Sequence, residues 1–224
     1  MTDKMEPGIS DSNDKMFVII AGNIGSGKTT LTQKLAQRLE WRPHYESVAD
    51  NPYLKDFYAD MSRWSFPLQI YFFTTRFNAH KEMENANYSA ILDRSIYEDV
   101  HIFSRALFEQ GMMDKRDYDN FLALHSSMVS HLNPPTLLIY LRRSVPKLLE
   151  RIRMRGREYE KSISEEYLTR LNHYYDEWFE SYRIGKTLLV DTDNLDFLEN
   201  EDHFDRLVTK VFDSIDQKDL FFQF

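Results

Sequence analysis

One octapeptide constrains the fold of this chain more than any other feature. Residues 22–29 read GNIGSGKT and fit the pattern G-x-x-x-x-G-K-[ST]. The unbroken apolar run Phe17–Ala21 precedes them and is typical of a parallel strand buried on both faces. After them, leucines recur at every fourth position (Leu31, Leu35, Leu39), as on one stripe of an amphipathic helix. A glycine loop between a strand and a helix predicts an α/β fold with an anion site at that junction.

The chemistry of this loop favours a nucleoside triphosphate. Glycines let the backbone point its N–H groups at phosphate oxygens, and the helix N-terminus adds partial positive charge. We expect Lys28 to reach the outer phosphates and the Thr29 hydroxyl to ligate Mg²⁺. The predicted ATP-binding loop comprises Gly22, Asn23, Ile24, Gly25, Ser26, Gly27, Lys28, Thr29 and Thr30. The loop alone leaves kinase, GTPase and motor-type ATPase open.

Strand and helix patterns alternate along the rest of the chain. Further strands are predicted at residues 44–46, 90–92, 136–141 and 187–190, and helices at 28–40, around 66–77, around 121–128, and at 145–155, 165–182 and 203–215. Alternation of this kind predicts a parallel sheet covered by helices on both faces. We therefore expect a P-loop kinase-type three-layer α/β fold with a five-stranded parallel sheet. Residues 1–15 are predicted to be a flexible leader and 16–224 a single domain.

Composition narrows the class of partner and compartment. The net charge of −8 argues against a general nucleic-acid binder. Cysteine is absent, and the acidic N-terminus has no apolar core of the secretory type. No run of 18 apolar residues is present to form a membrane helix. These features fit a reducing cytosol and predict a cytoplasmic protein with no nucleic-acid and no membrane partner.

Two carboxylates are predicted to end strands beside the phosphate loop. Asp93 follows the apolar residues 90–92, and Glu46 ends the predicted strand 44–46. In open α/β sheets ligands bind at the carboxyl ends of the strands. Such acids beside a triphosphate would hold metal or an acceptor hydroxyl; the alternative is that each is a solvated loop acid.

An arginine cluster predicts a lid over the phosphates. Arg151 and Arg155 are four residues apart on one helix face, Gly156 permits a turn, and Arg157 follows. Phosphoryl transfer requires cations that neutralise the moving group while water is kept out. A lid over about 151–164 is the expectation; a solvated helix face and a nucleic-acid patch are the alternatives.

Several motifs in order make the chain resemble the deoxynucleoside kinases of the deoxycytidine, deoxyguanosine and deoxyadenosine group. The resemblance covers about residues 16–197. Its motifs are GNIGSGKTT at 22–30, YESVADNPYL at 45–54, YADMSRWSFPLQ at 58–69, DRS at 93–95 and RIRMRGREYE at 151–160. It implies transfer of a phosphoryl group from Mg·ATP to the 5′-hydroxyl of a deoxyribonucleoside.

The resemblance also implies roles around the sugar and the reacting phosphate. Glu46 would serve as general base at the 5′-hydroxyl, and Arg94 would lie beside the phosphate. Asp93 would lie near the metal or act as the base instead, and the sequence does not separate these two carboxylates. Tyr58 and Glu160 would hold the 3′-hydroxyl.

Base and donor recognition follow from the same resemblance. Gln69 would pair with the base edge, and Arg76 with Asp99 would form the charged pair of relatives that accept purines or cytosine. Phe103 would stack on the base. The phosphate donor, ATP, would be bound by Lys28 and by the lid arginines Arg151, Arg155 and Arg157. Asp196 and Phe197 would lie against its adenine.

Departures from the family pattern lie near the base pocket. Ser47 replaces the usual proline, Leu68 a phenylalanine, and Asn51 a tryptophan whose absence would leave space for a larger base. Asp93 replaces the glutamate of animal members. Deoxyadenosine is the favoured substrate. Deoxyguanosine, a broad purine/deoxycytidine specificity, a nucleoside monophosphate kinase and a non-catalytic nucleotide-binding subunit are alternatives.

The resemblance further implies a dimer. Two apolar helical segments, Phe66–Lys81 and Tyr97–Phe108, could form the interface, although apolar faces also suit a monomeric core. A homodimer is expected, and pairing with an unlike subunit is the alternative.

Overall fold

Five parallel strands form the centre of the computed structural model, which describes residues 15–46 and 51–216. The strands lie in the order β2-β3-β1-β4-β5. They are β1 Phe17–Gly22, β2 Arg42–His44, β3 Ala90–Asp93, β4 Leu137–Arg142 and β5 Thr187–Asp191. The predicted five-stranded parallel sheet is confirmed. The predicted leader, except for Lys15, lies outside the described residues, as does Ser47.

Helices occupy every predicted helical region. They are α1 Lys28–Leu39, α2 Leu54–Ala59, α3 Met61–Asn85, α4 Arg105–Glu109, α5 Lys115–Val129, α6 Val145–Arg155, α7 Glu165–Ser181 and α8 Glu201–Asp216. A π-helix over Asp99–Ser104 leads into α4, and a 3-10 turn spans Glu158–Glu160. The π-helix and α4 lie within the predicted helical segment Tyr97–Phe108, whereas α2 was not predicted. Within the described part of the chain, no helix combines the length and apolarity needed to cross a bilayer.

The strand residues alternate between two separate cores. From β1, Ile19 and Ala21 pack into a core with α3, α5, α7 and the π-helix. On the other face, Val18 and Ile20 pack against α1 and α8. Because side chains of a strand point alternately to its two faces, an unbroken apolar strand requires helices on both sides. The three-layer prediction is therefore confirmed.

Strand β2 lies two residues earlier than predicted. Arg42 pairs with Ala90 and His44 with Leu92, and the Arg42 N–H donates to the Ser89 carbonyl at 3.0 Å. As an edge strand, β2 tolerates Pro43, which cannot donate to a ladder. The prediction of a strand over 44–46 was wrong because pairing with β3 fixes the register. Glu46 instead lies beyond the end of the strand.

Candidate active site

The phosphate loop is closed around its own lysine. Gly25 has φ 82°, and a Cβ there would lie 2.9 Å from the Leu148 carbonyl oxygen. A side chain at this position would be strained and would clash with backbone. The Lys28 ammonium donates to the carbonyls of Gly22 and Asn23, each at 2.9 Å. The loop therefore has the left-handed turn that the glycine pattern requires.

Lys28 is buried and lies close to the Arg94 guanidinium. Desolvation, reinforced by the nearby Arg94 guanidinium, lowers the pKa of Lys28 to about 7. Asp93, Glu98 and Glu46 oppose this shift without cancelling it. A bound polyanion would favour the charged ammonium, because opposite charges within a few ångströms favour the ionised form. Binding of a triphosphate at this loop would therefore be coupled to proton uptake by Lys28.

Two clefts meet at the phosphate loop. The arginine cleft, about 430 Å³, is lined by Gly25, Gly27, Lys28, Thr29, Thr30, Arg143, Arg151, Met154, Arg155, Arg157, Leu195, Asp196, Phe197 and Leu198. The aromatic cleft, about 180 Å³, is lined by Ile24, Glu46, Leu54, Phe57, Tyr58, Leu68, Gln69, Phe72, Arg76, Asp93, Arg94, Phe103, Tyr159, Glu160 and Tyr167, among others. Five residues line both clefts: Gly25, Lys28, Thr29, Arg155 and Arg157. A group bound in one cleft therefore faces the other across a cationic wall.

Thr29 and Asp93 meet at that wall. The Thr29 hydroxyl donates to Asp93 Oδ2 at 2.5 Å. Burial raises the pKa of Asp93, and the Lys28 charge and the Thr29 hydrogen bond partly oppose this. Among the described residues there is no cluster of three or more acidic or histidine side chains able to hold a metal. Mg²⁺ commonly binds through one or two carboxylates and the substrate phosphates, so this hydroxyl–carboxylate pair fits it.

Glu46 lies between two arginines. Arg76 donates to Glu46 Oε1 through Nε at 2.9 Å and also through Nη2. Arg94 Nε lies 3.3 Å from Glu46 Oε2. Burial alone would raise the pKa of Glu46, but the two guanidiniums outweigh it and hold the pKa below its usual value. Glu46 is therefore an ionised carboxylate inside the aromatic cleft.

Arg94 occupies a strained backbone position at the end of β3. Its φ of 79° is in the left-handed region, although it is not glycine. Its N–H donates to the Ile20 carbonyl at 2.9 Å, and its guanidinium lies 4.7 Å from the centre of the Phe103 ring. Strained residues of this kind persist where the surroundings fix them, often at functional sites. The geometry directs Arg94 into the aromatic cleft.

Arg76 and Gln69 line the aromatic cleft, and their partners Asp99 and Ser104 are fully buried outside its lining. Arg76 donates to Asp99 Oδ1, while Asp99 Oδ2 is buried and has no hydrogen-bond partner in the described chain. Gln69 Oε1 accepts from the Ser104 hydroxyl at 3.4 Å. A buried acceptor without a partner is costly, and a ligand N–H would satisfy it.

The lid arginines are paired with a carboxylate. Arg155 donates to Glu160 through Nε at 3.0 Å and Nη2 at 2.6 Å, and Arg157 lies 3.4 Å from the same group. Tyr58 also lines this part of the aromatic cleft and stacks on Tyr159. Burial and the neighbouring Tyr167 and Glu160 raise the pKa of Tyr58, so its phenol stays protonated.

Of the two predicted adenine neighbours, one contacts the loop from the core. Phe197 is buried, and its ring edge lies 3.4 Å from the position of a Cβ on Gly27. Asp196 is exposed, and its carboxylate accepts from the N–H groups of Leu198 and Glu199, each at 3.1 Å, which lowers its pKa. Asp196 therefore stabilises its own loop at the rim of the arginine cleft.

Asn51 does not line the aromatic cleft. Its Oδ1 accepts from the N–H groups of Tyr53 and Leu54 at 2.9 and 3.1 Å, where α2 begins. An asparagine oxygen at a helix start satisfies donors that have no partner within the helix. Asn51 therefore fixes the start of α2, and the expectation that the missing tryptophan leaves space for a larger base stays a prediction.

Several residues of the site were missed from the sequence. Arg143, at the end of β4, lines the arginine cleft and donates to Thr192 at 3.0 and 2.8 Å. Tyr159 and Tyr167 line the aromatic cleft, and burial raises the pKa of Tyr167 to about 12. Arg143 could have been found, because it lies at the same sheet edge as Asp93. The tyrosines carry no such signal.

Comparison with known proteins agrees with this geometry. The deoxynucleoside kinase family (dNK) matches residues 18–216. Deoxyadenosine/deoxycytidine kinase of Bacillus subtilis is 37% identical over 197 residues, 87% of this chain and 91% of that protein. Deoxyguanosine kinase of Lactobacillus acidophilus is 35% identical over 207 residues, 88% of this chain and 90% of that protein.

Solved structures give the same result. The structure of deoxyadenosine kinase from M. mycoides with bound dATP superposes with a TM-score of 0.77 at 28% identity, and covers 88% of this chain and all of that one. The same kinase with bound dCTP gives 0.76 at 27% identity. The family match at residues 18–216 includes the phosphate loop and the residues that line both clefts. The chain belongs to the deoxynucleoside kinase family.

Proposed function

We propose that the protein transfers the γ-phosphoryl group of Mg·ATP to the 5′-hydroxyl of a purine deoxyribonucleoside, with deoxyadenosine preferred. One observation carries this proposal: the arginine cleft and the aromatic cleft share a wall of Lys28, Thr29 and lid arginines, and Glu46 lies on the aromatic side alone. A triphosphate suits the cationic cleft. A neutral sugar and base suit the cleft with acids and aromatic rings.

In this proposal Glu46 receives the proton of the 5′-hydroxyl. The oxygen then bonds to the γ-phosphorus, the bond to the β,γ-bridging oxygen breaks, and ADP leaves. The lowered pKa of Glu46 keeps it ionised and able to accept a hydrogen bond. A strong base is unnecessary because the transition state of phosphoryl transfer is loose.

Asp93 has the metal-side role rather than that of the base. Its Oδ2 is already engaged by the Thr29 hydroxyl, the expected Mg²⁺ ligand. When bound, Mg²⁺ neutralises charge on the β- and γ-phosphates. Lys28, Arg94 and the lid arginines then stabilise the transferring group from the protein side.

Sugar recognition is assigned to Tyr58 and Glu160. Both line the aromatic cleft on the side of the lid. A protonated phenol can donate and a carboxylate oxygen can accept, so the two complement a 3′-hydroxyl. Phe103 and Phe72 supply the apolar walls for the base.

Base preference follows from Gln69 and Asp99. A glutamine amide can pair with adenine through one donor and one acceptor. The partner that Asp99 Oδ2 lacks would be an N–H of the base, as adenine and cytosine offer through their exocyclic amines. The names of several relatives, which include deoxyadenosine, support adenine first.

We propose further that the protein acts in the cytoplasm as a homodimer. Three apolar residues of α3, Phe66, Ile70 and Phe77, remain half-buried against the core and would supply part of the interface. Sedimentation of the purified chain at twice its monomer mass is expected. Sedimentation at the monomer mass would contradict the homodimer. A dimer mass that is reached only after an unlike subunit is added would favour a heterodimer.

The kinase proposal is tested with labelled ATP and each of the four deoxynucleosides. Deoxyadenosine should give the labelled monophosphate at the highest kcat/KM, and Glu46→Gln should lower kcat by roughly 10²-fold or more. The matched control is Glu82→Gln, which removes an exposed carboxylate of α3. Labelling of deoxyadenosine monophosphate instead of deoxyadenosine would favour a nucleoside monophosphate kinase. No labelled product at all would contradict catalysis.

A further inference from the structure

Glu98 is a buried carboxylate outside both clefts. It precedes the π-helix and is fully inaccessible to solvent. Its Oε2 accepts from the Ser95 N–H at 2.6 Å. Its Oε1 accepts from the Tyr175 hydroxyl at 2.6 Å and from the Gly22 N–H at 3.4 Å. A buried carboxylate destabilises a protein unless it is hydrogen-bonded. Both oxygens of Glu98 accept hydrogen bonds.

The same carboxylate faces Arg94. Arg94 Nη1 lies 3.6 Å from Glu98 Oε1 and donates to the Tyr175 hydroxyl at 3.1 Å. The opposite side of the guanidinium lies 3.3 Å from Glu46. Arg94 is therefore held between a carboxylate inside the aromatic cleft and a carboxylate behind it.

We propose that Glu98 is a positioning residue for phosphoryl transfer, acting as the permanent counter-ion of Arg94 and fixing it against the phosphate loop. The inference rests on the kinase activity proposed above. Glu46 becomes neutral when it takes the hydroxyl proton, so it cannot balance Arg94 throughout the reaction. Glu98 lines neither cleft, so it does not receive that proton.

Backbone geometry gives Glu98 a second means of holding Arg94. The Ser95 N–H bond fixes the turn directly after the left-handed Arg94, and the Gly22 contact fixes the end of β1. One side chain thus joins the turn that carries Arg94 to the first glycine of the phosphate loop. Tyr175, from α7, closes the same network through its buried hydroxyl.

The first test compares Glu98→Gln with wild type. The glutamine amide has the shape of the glutamate side chain but no charge. Its NH₂ group would face the N–H of Ser95 or of Gly22, which now donate to Glu98. We expect kcat to fall by roughly 10²-fold, while the KM values for ATP and nucleoside change by less than about threefold. Val211→Ala is the control: it destabilises the core on the α8 face without touching the site. A loss of kcat no larger than in this control would overturn the proposal.

A double-variant experiment separates positioning from a structural role. If Glu98 acts through Arg94, then adding Glu98→Gln to Arg94→Met should lower kcat by less than about threefold beyond Arg94→Met alone. A purely structural role predicts that the two losses multiply, and that result would overturn the inference. An inactive wild-type protein would instead contradict the proposed function itself.

Tyr175→Phe keeps the test available if Glu98→Gln does not fold. It removes the hydroxyl shared by Arg94 and Glu98, and we expect kcat to fall by roughly tenfold with KM little changed. Its matched control is Tyr182→Phe, a buried tyrosine whose hydroxyl has no partner within the described chain. Equal activity of the two variants would contradict the role of Glu98.

Discussion

The protonation of Lys28 gives a quantitative prediction for nucleotide binding. With its pKa lowered to about 7, Lys28 is about half protonated at pH 7 and about 9% protonated at pH 8. A bound triphosphate favours the ammonium form. Binding of Mg·ATP at pH 8 should therefore be accompanied by uptake of about 0.9 proton at this side chain.

The same equilibrium sets the pH dependence of affinity. Only the protonated form of Lys28 binds the phosphates well, so affinity follows the protonated fraction of the free protein. Between pH 7 and pH 8 this fraction falls about fivefold, and between pH 7 and pH 9 about 50-fold. We expect the Kd for Mg·ATP to rise by these factors.

Titration calorimetry measures both quantities. The apparent binding enthalpy at pH 8 is compared in buffers of different ionisation enthalpy, and its slope gives the number of protons taken up. Lys28→Arg is the control, because a guanidinium remains charged over this pH range. This variant should bind Mg·ATP without proton uptake at residue 28 and with a Kd that is nearly independent of pH.

Two outcomes would refute this reasoning. Wild-type protein that takes up no more protons than Lys28→Arg would mean that Lys28 is already charged before nucleotide binds. A Kd that stays constant from pH 7 to pH 9 would mean that burial does not lower its pKa in the free protein.

Four further predictions follow from other contacts. Arg155→Ala should lower kcat by roughly 10³-fold with a much smaller change in nucleoside KM; unchanged kcat with weakened nucleoside binding in steady-state assays would contradict this. Thr29→Val should raise the Mg²⁺ concentration for half-maximal activity by roughly tenfold or more, and an unchanged metal titration would refute the Thr29 assignment. Asp99→Asn should lower kcat/KM for deoxyadenosine by roughly 10- to 100-fold while the ATP KM is kept; an equal loss for every deoxynucleoside would show that Asp99 does not read the base. Because Arg76 and Arg94 lower the pKa of Glu46, its ionisation contributes stability above the unfolded-state pKa that is lost as pH falls through the folded-state pKa. Urea titrations of Glu46→Gln should therefore lose part of the wild-type acid sensitivity, and an unchanged pH profile would contradict this.

Much of the site could be predicted because it lies at the ends of buried strands. The apolar β1 and β3 are recognisable in the sequence, and parallel strands bring their carboxyl ends to one edge. Asp93, Arg94 and the phosphate loop follow directly from that rule. Strand β2 was placed less well, because a short exposed edge strand has little hydrophobic pattern to fix its limits.

The residues that were missed depend on tertiary contacts. In the sequence, Glu98 looks like any acid at the start of a helix; only the packing of α7 against the π-helix buries it with Tyr175. The hydrogen bonds of the Asn51 oxygen at the start of α2 were not predicted either. A side chain that satisfies local backbone donors cannot be distinguished by composition from one that faces a ligand.

The pairing of Arg155 and Arg157 with Glu160 has a consequence for the hydrolysis of ATP when no nucleoside is bound. Arginines that are paired with Glu160 do not contact the γ-phosphate. They would therefore stabilise the attack of a water molecule on that phosphate only weakly. In the kinase proposed above, a nucleoside 3′-hydroxyl that donates to Glu160 would share this carboxylate with the arginines and weaken their hold on it. The protein would thus hydrolyse ATP slowly when it is alone and become fully competent only once its acceptor has arrived.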